Sequence, residues 1–198
     1  MNDIEKTIEY YNINAKNFAA GTVSVEFENM QKRFLQKLPE HAIILDFGCG
    51  SGRDAKYFLS HGFQVEAIDG SVELCKIASV YTGIAVKHML FQELNDKSRY
   101  DGIWACSSIL HLPIGELEGV MRKMTEALKE KGVIYTSFKY GTFAGERNGR
   151  YFTDMTEDTF ADFLKKIEEL RIEELWVTAD VRPGRGDEKW LNLILRKR

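Results

Sequence analysis

The sequence predicts an α/β fold, a mostly parallel sheet with helices on both faces. Two observations carry it. Short apolar runs alternate with amphipathic stretches along nearly the whole chain, the pattern of successive βαβ units. The last two apolar runs are separated only by the stretch from Asp180 to Lys189, which predicts an antiparallel hairpin at one end of the sheet. With 198 residues, 44% hydrophobic and 29% charged, the chain has the length and composition of one ordinary globular domain spanning 1–198.

Taken in order, residues 3–19 and 24–38 carry helical spacing ahead of the sheet and form a helical segment over 1–40. Pro39 separates it from a first strand at 43–47, followed by a helix at 52–61. A second strand at 64–68 leads through Ser71, a suitable N-cap, into a helix at 72–81. Strands follow at 84–87 and 102–106, then a helix at 115–129 opened by Pro113. Gly132, after Leu128-Lys129-Glu130-Lys131, reads as the glycine closing that helix. The fifth strand is 133–138, and 139–152 is a loop too long for a simple turn. Thr156 caps a helix at 156–170 with Glu157 and Asp158 in its first turn. Strands at 172–178 and 190–196 complete the chain, with Pro183 in the loop between them.

The charge balance excludes some functions. Lys plus Arg is 27 and Asp plus Glu is 30, a net charge of −3, which argues against bulk nucleic-acid binding because that affinity comes from neutralising many phosphates. No run approaches the ~20 apolar residues of a membrane span. The opening Met1-Asn2-Asp3-Ile4-Glu5-Lys6 lacks the basic stretch and apolar core of a signal peptide. Cys49, Cys75 and Cys106 are odd in number and have no C-x-x-C spacing, which argues against a disulfide framework and a cysteine zinc site. The expectation is a reduced, cytoplasmic protein with no metal. The oligomeric state stays open.

The chemistry concentrates where the first strand ends, in Ile44-Leu45-Asp46-Phe47-Gly48-Cys49-Gly50-Ser51-Gly52-Arg53-Asp54. Alternating glycines there let the backbone turn sharply and approach a ligand, with the amides of the helix start facing the same space. Asp69, at the end of the second strand, follows about 20 residues later, where a carboxylate accepts hydrogen bonds from two ribose hydroxyls. Together they specify an adenosine-type ligand at the carboxyl edge of the sheet. A dinucleotide fingerprint would place a small residue where Arg53 stands, and no Gly-Lys-Ser/Thr follows to make a nucleoside triphosphate loop. The spacing, preceded by Asp46, suits S-adenosylmethionine better than NAD.

This segment resembles motif I of the class I S-adenosylmethionine-dependent methyltransferases, and the resemblance continues through Val65–Ser71, Tyr100–Pro113 and Leu128–Tyr135. Gly-Ser-Gly-Arg-Asp and His-Gly-Phe-Gln-Val are most similar to the small type 11 and tellurite-resistance methyltransferases. The family implies a Rossmann-like, seven-stranded sheet in the order 3-2-1-4-5-7-6, with an antiparallel last strand. Residues 42–138 would bind the cofactor, 139–198 would carry substrate-side loops and the C-terminal hairpin, and 1–40 would form a helical lid. Carried over by position, Phe47, Gly48, Cys49, Gly50 and Ser51 would line the methionine end, which Tyr11 would reach from the lid. Asp69, Gly70 and Ser71 would hold the ribose, and Ala105, Cys106 and Ser107 would sit under the sulfonium. Where the family often places an acid for the adenine amino group, this chain has Met89-Leu90-Phe91, so Leu90 and Phe91 would pack the ring and Gln92 could be its polar partner.

Methyl transfer from a sulfonium is an in-line displacement gained mainly by positioning. An oxygen or nitrogen acceptor still loses a proton, and His111, in the loop after the fourth strand, is the candidate general base. The substrate side is rich in cations and tyrosines: Lys139, Tyr140, Arg147, Arg150, Tyr151, Arg182 and Arg185. Arginine suits bidentate capture of a carboxylate or phosphate, so the expected acceptor is a small molecule with an anionic group. The same motifs also fit an RNA or protein methyltransferase, or a domain that binds the cofactor as a sensor without turnover.

Overall fold

The computed structural model describes residues 1–182 and 184–198; Pro183 lies outside them. Helices α1 (Asp3–Thr22) and α2 (Glu28–Leu35) precede β1 (Ile43–Phe47), α3 (Arg53–Ser60), β2 (Gln64–Asp69), α4 (Val72–Thr82) and β3 (Lys87–His88). Then come β4 (Tyr100–Ala105), α5 (Ile114–Ala127), β5 (Leu128–Lys139), β6 (Ala144–Arg147), β7 (Arg150–Thr153), α6 (Glu157–Leu164), β8 (Leu170–Ala179) and β9 (Lys189–Lys197).

Seven strands form one sheet in the order β3-β2-β1-β4-β5-β9-β8. Counting only its own strands, this is the expected 3-2-1-4-5-7-6. The first five run parallel, and β9 enters antiparallel between β5 and β8. Alternating side chains along β1 and β4 explain why both faces are covered. Leu45, Phe47 and Ile103 face a large cluster that includes Leu117, Met121 and Met124 of α5 and Phe160 of α6. Ile44 and Trp104 face the other side, with Phe34 of α2 and Phe58 of α3. Trp104 stacks on Tyr135 with ring centroids 4.0 Å apart.

The predicted caps form. The Ser71 side chain accepts from the Leu74 amide at the start of α4, and Thr156 accepts from Thr159 at the start of α6. Four local expectations need correction. The third strand shrinks to Lys87–His88 because the amides of Ile84 and Val86 bond the side chains of Thr82 and Ser79 instead of β2. Helix α5 ends at Ala127; Lys131, not Gly132, takes the left-handed conformation (φ 62°), inside an irregular start to β5. Helix α6 ends at Leu164, and buried Ile167 and Leu170 continue on tight turns whose three-residue spacing imitates a helix. The stretch 139–152 is not a plain loop. Asn148 and Gly149, both at positive φ, make the two-residue turn of a separate hairpin, β6–β7.

The parallel strands place Gly48, Asp69–Ser71, Leu90 and Cys106 along one edge, and the reversed pair β8–β9 brings Asp180 and Trp190 to it. Helix α1 roofs that edge. Asn12 Oδ1 accepts a hydrogen bond from Ser71 Oγ at 2.7 Å, and Thr7 Oγ1 accepts one from the Tyr151 amide at 3.0 Å. Of the segment expected as a lid, α2 packs instead on a sheet face through fully buried Phe34.

Candidate active site

Under α1 lies a cavity of about 230 Å³. Its floor is the β1–α3 loop, held to β2 by the amides of Gly48 and Cys49, which both donate to the Ile68 carbonyl at 3.0 and 2.9 Å. Gly48 has φ +85°, and a Cβ there would stand 2.5 Å from Ser108 Cβ. Phe18 of α1 packs over Gly50 from above. Asp69 ties the loops together: Oδ2 accepts from the Gly50 amide at 2.9 Å and Oδ1 from the Ser71 amide at 2.8 Å. Burial pushes the Asp69 pKa up against the pull of those amides.

Asp46 lies beneath the loop with Oδ2 buried and without a partner. Burial and neighbouring Asp54 hold its pKa well above the usual carboxylate range. Asp54, by contrast, is saturated. It accepts from Gln31 Nε2 (2.6 Å), Trp104 Nε1 (2.8 Å) and two nitrogens of Arg53 (2.8 and 2.9 Å). Arg53 in turn lies over the Phe27 ring, 4.6 Å from its centroid. Burial raises the thiol of Cys49 and pushes that of Cys106 up to about 12, so both stay protonated and serve as packing.

Toward β3, Leu90, Phe91 and Gln92 form the wall, and Phe91 packs on Phe47 at 4.6 Å between centroids. Phe47 and Ala105 are themselves fully buried and do not line the cavity. The other expected cofactor positions do: Tyr11, Gly48, Cys49, Gly50, Ser51, Asp69, Gly70, Ser71, Leu90, Phe91, Cys106 and Ser107.

At the opposite end, His111 sits on a short 3₁₀ turn (Ile109–His111) after β4. Its Nδ1 lies 2.6 Å from the Tyr151 carbonyl and so carries the proton. Its Nε2 accepts from the Tyr11 hydroxyl at 2.8 Å. Arg150 donates to the same Tyr11 oxygen at 3.3 Å. Burial, with smaller contributions from Arg150 and Arg147, lowers the His111 pKa to about 4 against the pull of the Tyr151 carbonyl. The ring is therefore neutral near pH 7.

A stability prediction follows from the sign of that shift. As pH falls below 6.5 the unfolded chain protonates this histidine, while the folded chain resists until about pH 4. Stability present above pH 6.5 is lost across that window, by roughly 3 kcal/mol in all. Denaturant midpoints at pH 7 and 4.5 should separate further for the natural chain than for His111→Gln. Equal separations would refute the assignment.

The substrate-side cations behave differently from one another. Lys139 pairs with Asp180 at 3.5 Å and with Glu188, and Arg182 makes a forked contact with Asp180. Arg185 stands 3.8 Å from Glu188. Arg147 is bound to Asp154 and Tyr140 donates to Glu157 at 2.7 Å, so both turn away from the cavity. Tyr151 does not line the cavity; its carbonyl faces His111 and its amide donates to Thr7. Among the described residues, Arg150 is the one cavity-lining cation with no acid partner. Its guanidinium lies over Tyr10 and Phe152 at 4.5 and 5.2 Å from the ring centroids, and its buried Nε has no hydrogen-bond acceptor.

Asp180, Trp190, Asn192 and Phe152 also line this end, though no sequence motif marks them. Asp180, held well below the usual carboxylate range by Arg182 and Trp190 despite its burial, anchors the β8–β9 loop. Among the described residues no group of His, Cys, Asp or Glu side chains could hold a metal ion, and no helix is long and apolar enough to cross a membrane.

The glycine loop and Asp69 fit an adenosyl ligand, since both line the cavity and the loop is packed so closely that a Cβ at position 48 would strike its walls at Ser108 and Phe91. Solved structures share the whole fold. The Burkholderia thailandensis 1,6-didemethyltoxoflavin-N1-methyltransferase, with 1,6-didemethyltoxoflavin and S-adenosylhomocysteine bound, superposes with a TM-score of 0.73 at 20% identity, covering 96% of this chain and 89% of that one. The N-methyltransferase NodS of Bradyrhizobium japonicum, with S-adenosylhomocysteine, gives 0.70 at 15% identity over 94% and 97%. The magnesium protoporphyrin IX methyltransferase of Synechocystis, with S-adenosylmethionine, gives 0.74 at 15% identity over 100% and 98%. No curated protein sequence matches the chain. A family model described as a methyltransferase domain matches residues 25–158, which takes in the glycine loop, Asp69 and the turn bearing His111. The chain accordingly belongs to that family, and is a class I methyltransferase that uses S-adenosylmethionine.

Proposed function

We propose that the chain methylates a small molecule at oxygen or nitrogen, and that the acceptor carries one anionic group held by Arg150. The observation that carries this reading is the unpaired guanidinium at the acceptor end of a cavity roofed by α1. A forked donor without an acid partner suits a carboxylate or phosphate. The roof, pinned through Asn12 and Thr7, favours a compact acceptor over a polymer lying in a groove. The several converging arginines expected from sequence reduce to this one, since the others are neutralised by Asp180, Glu188 or Asp154.

When bound, the cofactor supplies an electrophilic methyl group. The chain supplies position. Asp69 would hold the ribose hydroxyls, Gly48–Ser51 the amino-acid tail, and Leu90 and Phe91 the adenine. His111 can take a proton from an acceptor only where that acceptor displaces or works through the Tyr11 hydroxyl, which occupies Nε2.

Calorimetry with S-adenosylhomocysteine should detect binding. Incubation with methyl-labelled S-adenosylmethionine and fractionated cell extract should then place label in the low-molecular-mass fraction, with little dependence on salt. Label in RNA or protein, with steep loss of transfer as salt rises, would favour a macromolecular acceptor instead.

A further inference from the structure

Resting on that proposal, we infer that the anionic group on Arg150 is itself the nucleophile: the chain makes methyl esters of small carboxylic acids. The juxtaposition of Arg150, Tyr11 and His111 leads there. One phenolic oxygen bridges the guanidinium and the imidazole, so the Arg150 guanidinium lies two hydrogen bonds from His111, on the turn that follows β4, and a carboxylate held by it lies one further along. An anchor for a distant part of the acceptor would instead need a free cation farther along the wall. There, Lys139, Arg182 and Arg185 are all paired with acids.

The other nucleophiles are poorly served. An amine arrives protonated near pH 7 and needs an acid to hold it or a base to strip it. The acids lining the cavity are committed: Asp54 to Arg53, Gln31 and Trp104, Asp180 to Arg182 and Trp190, and Asp69 to two loop amides. An alcohol needs a strong base, while the lone pair of His111 already accepts the Tyr11 proton and the ring's pKa is lowered to about 4. A carboxylate needs neither. Its oxygen lone pair forms a bond to the methyl carbon as the carbon–sulfur bond breaks, and that electron pair stays on sulfur. An anion and a sulfonium become a neutral ester and a neutral thioether, with no proton transferred. Tyr11 and His111 are then positioning residues that aim the fork of Arg150.

The test uses the full chain with methyl-tritiated S-adenosylmethionine and the low-molecular-mass fraction of a cell extract. Labelled product is then treated with mild alkali. Esters release volatile methanol, whereas N-methyl and ether products keep their label, so release of most of the label is expected and its retention would overturn the inference. Arg150→Gln should keep S-adenosylhomocysteine affinity within about threefold while transfer falls about 100-fold through acceptor KM. Weakened S-adenosylhomocysteine binding in that variant would assign Arg150 to the cofactor and overturn the inference too. So would cofactor binding with no label transferred. Failure of the natural chain to bind S-adenosylhomocysteine would instead remove the proposed function beneath it.

Discussion

A Gly48→Ala chain should bind S-adenosylhomocysteine too weakly for calorimetry to detect and should unfold roughly 3 kcal/mol more easily. Two costs add. At φ +85° an alanine is left-handed, about 1–2 kcal/mol against it. Its Cβ would also stand 2.5 Å from that of Ser108, whose hydroxyl is fastened to the Phe47 carbonyl at 2.6 Å, and overpacking of this kind costs about 1–3 kcal/mol. Gly62→Ala is the control. Gly62 has nearly the same φ, +83°, but nothing within 4 Å of the new carbon. It should show the backbone cost alone and unchanged binding. Equal behaviour of the two variants, read by denaturation and calorimetry, would mean that crowding at the loop is unimportant.

Replacing Asp69 by Ala should weaken S-adenosylhomocysteine binding about 100-fold and destabilise the free chain by about 2–4 kcal/mol. The carboxylate joins two segments, because each oxygen accepts a backbone amide from a different loop. Removing it leaves the Gly50 and Ser71 amides without that acceptor and takes away the group proposed for the ribose. Asp69→Asn should fall between, because one oxygen remains while the new amide group faces a donor. Full S-adenosylhomocysteine affinity in Asp69→Ala would place the ribose elsewhere.

The donor half of this protein was legible because local rules write it. Gly48, Gly50 and Gly52 after an apolar strand, with Asp69 at the next strand end, announce a ligand wherever the chain begins or ends. The strand order came with the family resemblance, and the closing hairpin fits it. The acceptor half was not legible, because it depends on pairings between distant residues. Nothing in the spacing of Lys139, Arg182 and Arg185 says that Asp180 and Glu188 neutralise them, or that Arg150 escapes. The Asn148-Gly149 dipeptide is a turn signal for the β6–β7 hairpin that the loop reading passed over, and nothing local in the sequence places Arg150 beside α1. Phe47 and Ala105 show the converse limit. They flank the site in sequence, yet strand alternation turns Phe47 into the core, and Ala105 lies too deep to reach the cavity.

Arg150 arrives on a four-residue strand outside the main sheet, joined to its partner by two turn residues. With Arg150 holding the acceptor as proposed, exchanging this short hairpin would alter what the enzyme accepts without touching the glycine loop, Asp69 or the pairing of β1 with β4. On that proposal the molecule would keep its fuel supply and its choice of customer on separate pieces of chain, and selection could redraw one while conserving the other.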